Sequence, residues 1–343
     1  MTKTKLYLQG HDISEFIQKY PALRFGFGDY GEFPQLGNLT LQGDNTNGFW
    51  NPDNPASIFY SRDFYNWELK IKDSVADTVL YSGLINSVDI QNNGRQANIN
   101  LISRLNKFLD KPIPFYNSNE LLTPAEILEE MCVLWDVPYN ETSIDRSHNI
   151  QSAAGLFINA DINYEHNLTL INAFKLLCDI GVARMFIFKD ELYYHAYDRD
   201  LSSSTADIIT VDEKYLLKIE SLKQNYKSPL NGYKIITTTS TFTGGDEDSN
   251  DSLKSVDLSS GKPFSMSALN GAYHIGESYL ELSKKNFKQA TVLLDREFAM
   301  LLTPSSFIYL ENETLFPEGQ SFEVLSIDLS SNLFSRLELR TID

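Results

Sequence analysis

Between residues 5 and 109 apolar side chains recur at every second position, and Gly, Asn and Asp interrupt the alternation at short intervals. A chain patterned in this way can bury one face of an antiparallel sheet, whereas a helix needs a period of about 3.6 residues. The predicted strands are "LYLQG", "NLTLQGD", "WELKIKD", "VLYSGLINSVDIQ" and "ANINLISRL". Residues 91–96, "QNNGRQ", put an Asn-Gly pair between the last two and predict a hairpin. The alternation stops at "DKPIPF", so a first β domain is expected over residues 1–111.

Helical spacing takes over next. In "TPAEILEEMCVLWDVPY", Thr123 is the predicted N-cap, Pro124 the first helical residue and Glu126 the far side of a capping box. Ile127, Leu128, Met131, Leu134 and Trp135 share one face of this helix. "NLTLINAFKLLCDIGV" repeats the spacing, with Gly181 placed to end it, and "ARMFIFKDELYYHAYD" reads as strand, turn, strand. These elements predict a middle α+β domain over residues 112–204, and strands resume in a third domain over residues 205–343. Within it, residues 244–263 read as a flexible acidic loop and residues 268–285 as a helix. The fold class is mostly β with an α+β insertion. No internal repeat is legible beyond the two similar helical stretches.

Charge and composition narrow the chemistry. The net charge of −17 argues against a surface built to grip duplex phosphates, which requires clustered Lys and Arg. Cys132 and Cys178 lie on apolar helix faces and read as buried thiols. No membrane segment is expected, since no apolar run approaches the roughly 20 residues that cross a bilayer, and the N-terminal residues carry no export signal. Gly26, Gly28 and Gly31 spell G-x-G-x-x-G, but no helical period follows, so they read as turn residues. Asp246, Asp248, Asn250 and Asp257 take the first, third, fifth and twelfth places of a calcium loop. Asp251 stands where that loop needs Gly and no helices flank it, so an acidic loop is the better reading. The five histidines are scattered, and neither a catalytic residue nor a metal or cofactor is expected.

The order of these elements resembles the baseplate hub or tail-tip hub proteins of bacteriophages. "LYLQGHDISEFIQ" is similar to their opening strand and turn, "LGNLTLQGDNTNGFWNPDNPASIF" to a recurring segment of minor tail proteins, and "VLYSGLINSVDIQNNGRQANINLISRLNKFLDK" to their hairpin. "LTPAEILEEMCVLWDVP" and "NLTLINAFKLLCDIGVARMFIFKDELYY" resemble the helices and paired strands of the hub's middle domain, and "FPEGQSFEVLSIDLS" its closing barrel. The resemblance implies two tube-like antiparallel β-barrel domains around a small helix-containing middle domain. It further implies a structural virion protein, not an enzyme: a homotrimer forming a pseudo-hexameric ring that joins the tail tube to the tip or spike. The implied partners are the tail tube or distal tail protein, spike or fibre proteins and the tape-measure protein. DNA would pass through the lumen without specific binding, and assembly would take place in the host cytoplasm.

Two other readings compete: a hexameric distal tail protein, and a carbohydrate-binding module of a tail. The second rests on "NGFWNPDNPASIFYSRDFYNWELKIKD", which holds seven aromatic residues. That stretch is read as a structural connection in which Pro52 and Pro55 keep the chain extended. Phe49, Trp50 and Phe59 are its candidate contacts with a neighbouring subunit.

Overall fold

The computed structural model describes residues 4–20, 23–26, 39–57, 59–62, 64–74, 77–105, 109–199, 208–225, 230–245, 253–284, 287–329 and 333–342. The fold is mostly β, with three α-helices in the middle of the chain and two nearer its end among the described residues. The N-terminal alternation forms β1 (Thr4–Leu8), β2 (His11–Asp12), β3 (Ile17–Lys19), β4 (Arg24–Gly26), β5 (Leu39–Asp44), β6 (Glu68–Asp73), β7 (Val79–Gln91) and β8 (Gln96–Ser103). All but β4 join a seven-stranded antiparallel sheet in the order β2-β1-β6-β7-β8-β5-β3. Its inward positions, among them Leu6, Leu41, Leu69, Ile71, Ile99 and Leu101, are buried. The β7–β8 hairpin turns through Asn92, Asn93 and Gly94, all at positive φ, which Asn and Gly tolerate best.

The middle of the chain contributes β9 (Phe115–Asn117), α1 (Pro124–Leu134), α2 (Glu141–Ala153), β10 (Asn159–Asn163), α3 (Leu170–Ile180), β11 (Ala183–Phe188) and β12 (Glu191–Ala196). The predicted capping box on α1 forms: the Glu126 N–H donates to Thr123 Oγ1 at 3.3 Å and the Thr123 N–H to Glu126 Oε2 at 2.8 Å. Thr123→Ala removes both the cap and a contact with His148 Nδ1 at 3.1 Å, and is expected to cost about 1–2 kcal/mol in a urea unfolding curve. Leu134, expected on the buried face, is the last residue of the helix and is 62% exposed. Cys132 and Cys178 are buried and unbridged, and burial pushes both thiols up. Gly181 does follow α3, but with φ of −76° it is no left-handed cap. Close approach explains the glycine instead, since a Cβ there would lie 2.1 Å from Tyr194 Oη.

Helix α2 was not legible in the sequence, because its residues are largely polar. It is held by hydrogen bonds rather than by an apolar stripe: Asn140 caps it, and Ser147 Oγ donates to the Tyr194 carbonyl at 2.8 Å and accepts the Ala196 N–H at 3.0 Å. The helix thereby covers the edge of β12, whose backbone groups would otherwise lack partners.

The remaining strands are β13 (Ile208–Thr210), β14 (Leu216–Asn225), β15 (Gly232–Ile236), β16 (Thr241–Gly245), β17 (Leu253–Asp257), β18 (Phe264–Ser265), β19 (Phe287–Asp295), β20 (Phe307–Asn312), β21 (Phe316–Asp328) and β22 (Phe334–Thr341). Two helices, α4 (Leu269–Lys284) and the short α5 (Arg296–Ala299), lie among them. The predicted helix is α4, but its buried Ala272, Ile275 and Tyr279 join the core around α1 and α3 rather than the C-terminal sheet. Strand β15 and its neighbours β16 and β17 join the same middle layer through Tyr233, Ile235 and Val256. Part of the expected acidic loop is therefore ordered: β17 runs parallel to β15, with Val256 buried opposite Ile235.

The C-terminal sheet runs β13-β20-β21-β22-β19-β14, with β4 added beside β21. This is the N-terminal design used a second time, for β1-β6-β7-β8-β5-β3 visits strands in the same chain order. The equivalence reaches single residues. β7 bulges after Ile85, opposite Leu101, and β21 after Val324, opposite Leu339. Register breaks fall between Ile17 and Lys19 against β5, and between Leu216 and Lys218 against β19. Just before those breaks, the Phe16 N–H donates to the Ile13 carbonyl and the Tyr215 N–H to the Asp212 carbonyl. Asp44 and Asp295 end equivalent strands, and each accepts the N–H two residues on. One ladder differs, β1 being antiparallel to β6 and β13 parallel to β20. Both sheets, with Phe186 and Phe188 of β11, share one continuous apolar core.

Candidate functional site

The aromatic connection between β5 and β6 is wound, not extended. Successive N–H groups donate three residues back, Gly48 to Asn45, Asn51 to Gly48, Asn54 to Asn51, Ser57 to Asn54 and Tyr60 to Ser57. Asn, Gly or Ser thus stands at each turn corner, and Pro52 and Pro55 follow two of the corners, where a fixed φ near −65° favours the turn. The Trp50 N–H donates to Asn45 Oδ1 at 2.7 Å, and its indole N–H to the Phe16 carbonyl at 3.3 Å. The indole occupies the space that a side chain on Gly43 would need, a Cβ there lying 2.4 Å from Trp50 Nε1.

Of the three candidate contact residues, Trp50 and Phe59 are 0% exposed and stack on each other at 5.4 Å. They have no surface to offer a partner from this folded chain. Phe49 is half-buried and stacks on Phe16 at 3.7 Å, forming one wall of an open groove of about 800 Å³ beside Leu8, His11, Asp12 and Tyr60. Tyr60 and Tyr65 carry the loop's exposed rings. The Phe16–Phe49 stack has a counterpart at the same place in the C-terminal sheet, where Tyr215 stacks on Phe298 at 4.6 Å.

The buried charged residues are ones that sequence reasoning missed. Glu323, on β21, lies between two arginines: Arg184 of β11 donates to Oε1, and Arg340 of β22 donates to Oε2 at 2.7 Å. All three side chains are nearly inaccessible, at 8%, 1% and 8%. Burial pushes against the Glu323 charge, but the two guanidiniums outweigh it and hold the carboxyl below its usual range. Alongside, His195 Nε2 meets Ser305 Oγ at 2.9 Å and the ring stacks on Phe186. Burial, and then Arg184, lower its pKa to about 3, so it is neutral. A second buried pair ties the two sheets together: Arg296 donates to Asp73 Oδ2 at 3.3 Å and to the Leu329 carbonyl at 2.6 Å. The only sequence signal was a charged residue at the centre of an apolar strand, as in "ARMFIF" and "SFEVL".

Among the described residues, no group of three or more His, Cys, Asp and Glu side chains is placed to hold a metal ion. Asp257 accepts from Ser259 and pairs with Lys262 at 3.2 Å, while Asp246, Asp248 and Asn250 lie outside the described residues. Gly26 lies on β4 and Gly28 and Gly31 fall outside the described residues, so the strand-to-helix setting of a nucleotide loop is not seen. No helix among the described residues is long and apolar enough to cross a membrane.

No family model matches this sequence, and no curated protein is similar to it in sequence. The fold is nevertheless that of phage tail proteins, in agreement with the resemblance carried by the order of its motifs. Over 99% of its length the chain is similar to the tail protein from Neisseria meningitidis MC58, with a TM-score of 0.58, 11% identity and 96% of that chain covered. It is likewise similar to the 43 kDa tail protein of prophage MuSo2 from Shewanella oneidensis, with a TM-score of 0.56, 11% identity, and coverage of 99% of this chain and 97% of that one. At such identity the likeness is one of fold.

Proposed function

We propose that this chain is a structural protein of a phage tail or baseplate, a hub whose three copies close into a pseudo-hexameric ring. The observation that carries this reading is the duplicated sheet: three chains with two equivalent sheets each supply six equivalent units. Such a ring meets a six-fold tail tube or distal tail protein on one side and a three-fold tip, spike or fibre on the other. The tape-measure protein and then DNA pass through its lumen, and the net charge of −17 favours passage without adhesion. The protein would be built in the host cytoplasm and reside in the virion. We assign residues 1–111 and 205–343 to the two tube-like units and residues 112–204 to the middle unit, on which the excursion 232–284 also packs.

The rival readings fit less well. Six copies of a chain with two equivalent sheets would supply twelve units, twice what a simple six-fold ring requires. A sugar platform needs open ring faces, and Trp50 and Phe59 have none. Mass measurement in solution tests the proposal: the expected particle contains three 39.0 kDa chains and shows three-fold symmetry in averaged images. A six-chain ring, or a monomer at all concentrations, would overturn it.

A further inference from the structure

Each sheet has two unlike ends. The loop joining β5 to β6 and the loop joining β19 to β20, which begins with α5, stand at equivalent ends of the two sheets, and the β6–β7 and β20–β21 hairpins stand at the opposite ends. Within the chain, the hairpin end of the N-terminal sheet meets the loop end of the C-terminal one. Asp73, the last residue of β6, is 3% exposed and accepts from Arg296, the first residue of α5, at 3.3 Å. β4 reaches the same loop end, where it pairs with Ser326, Ile327 and Asp328 of β21 beyond the stretch that pairs with β20. The other two ends, the hairpin end of the C-terminal sheet and the loop end of the N-terminal sheet, are open to solvent.

These two open ends match in chemistry. The tip of the β20–β21 hairpin exposes Glu311, Glu313, Leu315 and Glu318, with Leu315 at 43%. Its shape is fixed from within: Asn312 Oδ1 accepts the Thr314 N–H at 3.2 Å and the Leu315 N–H at 3.0 Å, and the Tyr309 hydroxyl donates to the Glu318 carbonyl at 2.9 Å. The loop end of the N-terminal sheet holds the open groove of about 800 Å³, where the rings of Phe16, Phe49 and Tyr60 are joined by the exposed Arg62. Asp12 also lines the groove, but it is paired with Lys5 at 3.3 Å. The longer loop changes the residues of the contact and keeps its polarity. Asn45, which follows β5 as Arg296 follows β19, is held by the Trp50 N–H and the Gly94 carbonyl, and Arg62 supplies a cation instead. We propose that the groove receives the β20–β21 hairpin, residues 311–318, of a second copy of this chain, with Leu315 against Phe49 and Tyr60 and the carboxylates beside Arg62. Apolar contact at the centre and opposite charge at the edge are what such a seat requires. The contact repeats between chains the hairpin-to-loop arrangement that Asp73 and Arg296 make within one, and a head-to-tail repeat of this kind closes into a ring. The inference rests on the ring reading and adds the contact through which the ring closes.

The test uses the full chain with Leu315→Cys, labelled with a benzophenone maleimide; Cys132 and Cys178 are buried and do not compete. Labelled chains are mixed with isotopically heavy chains, irradiated, and the products sized and mapped by mass spectrometry. The expected result is a covalent dimer of light and heavy chains, linked from position 315 to residues 8–16 or 49–62 of the other copy. Arg62→Glu in an otherwise unaltered chain is the second arm, expected to shift the trimer toward single chains at a given concentration while subunit unfolding stays unchanged. A trimeric particle whose links from position 315 fall within one chain or on another part of its neighbour, or a trimer indifferent to Arg62→Glu, overturns this contact and leaves the ring intact. An unaltered chain that stays monomeric overturns the ring reading, and this inference with it.

Discussion

Glu323→Gln is expected to lower the free energy of unfolding by about 3–5 kcal/mol, read from the urea midpoint at constant slope. The change keeps the shape of the side chain and removes its charge, leaving Arg184 and Arg340 buried without the carboxylate they flank. The large loss reflects that leftover charge rather than the net value of the original cluster. Replacing the whole cluster, Arg184→Met with Glu323→Leu and Arg340→Met, should accordingly recover most of the stability, because an apolar group of similar volume needs no counter-charge. Should the triple variant be no more stable than Glu323→Gln, the polar atoms must be doing more than compensating one another. The location makes the effect global, since Arg184 belongs to the middle layer and Glu323 to the C-terminal sheet.

The same cluster sets an acid limit. A folded-state pKa below the unfolded value contributes stability that is present above the unfolded pKa and lost as pH falls toward the folded one. His195, lowered to about 3 by burial and by Arg184, begins to withdraw stability below about pH 6.5. His274, lowered to about 4 by burial and then by Arg199, acts in the same direction. Glu323, also depressed, adds its share only below about pH 4.3. Unfolding measured from pH 7.5 downward should therefore show stability falling from about pH 6.5 and more steeply below about pH 4.3, and Glu323→Gln should reduce the steeper part. Stability that rises on acidification would contradict the buried, neutral state of both histidines.

How much of this was legible in the sequence depends on the kind of physics involved. Strands of the N-terminal sheet were readable because burying one face imposes alternation, and α1 because Thr123, Pro124 and Glu126 announce a helix start. Helix α2 was not readable, since Ser143, Ser147 and Gln151 are held by hydrogen bonds to a strand distant in sequence. The duplication was hidden for a related reason. Burial requires only that Leu69 and Ile71 have apolar counterparts, which Ile308 and Leu310 supply without any shared identity. The excursion through α4 then separates β14 from β19 and breaks the order that a repeat would otherwise show. Charged residues inside strands were passed over because alternation says where a side chain points, not what meets it there.

Trp50→Ala is the second substitution with a large expected cost, about 3–5 kcal/mol. The indole is fully buried against Phe49 and Phe59, donates to the Phe16 carbonyl, and fills the space above Gly43. Its removal leaves a cavity that the surrounding turns, fixed by hydrogen bonds at every third residue, can close only in part. Because every contact is made within one chain, the loss must appear in the unfolding of the isolated subunit, at concentrations where no ring forms. An effect seen only on assembly, with subunit stability unchanged, would restore Trp50 as a contact between subunits. Tyr60→Ala offers the converse test: its ring is 45% exposed at the groove, so its removal should spare the fold. The repeated stack favours this division of roles, for Phe16 on Phe49 and Tyr215 on Phe298 occupy equivalent places in two loops of unlike sequence. What the two loops share is the need to seal the end of a sheet, and in the first of them Trp50 is the largest part of that seal.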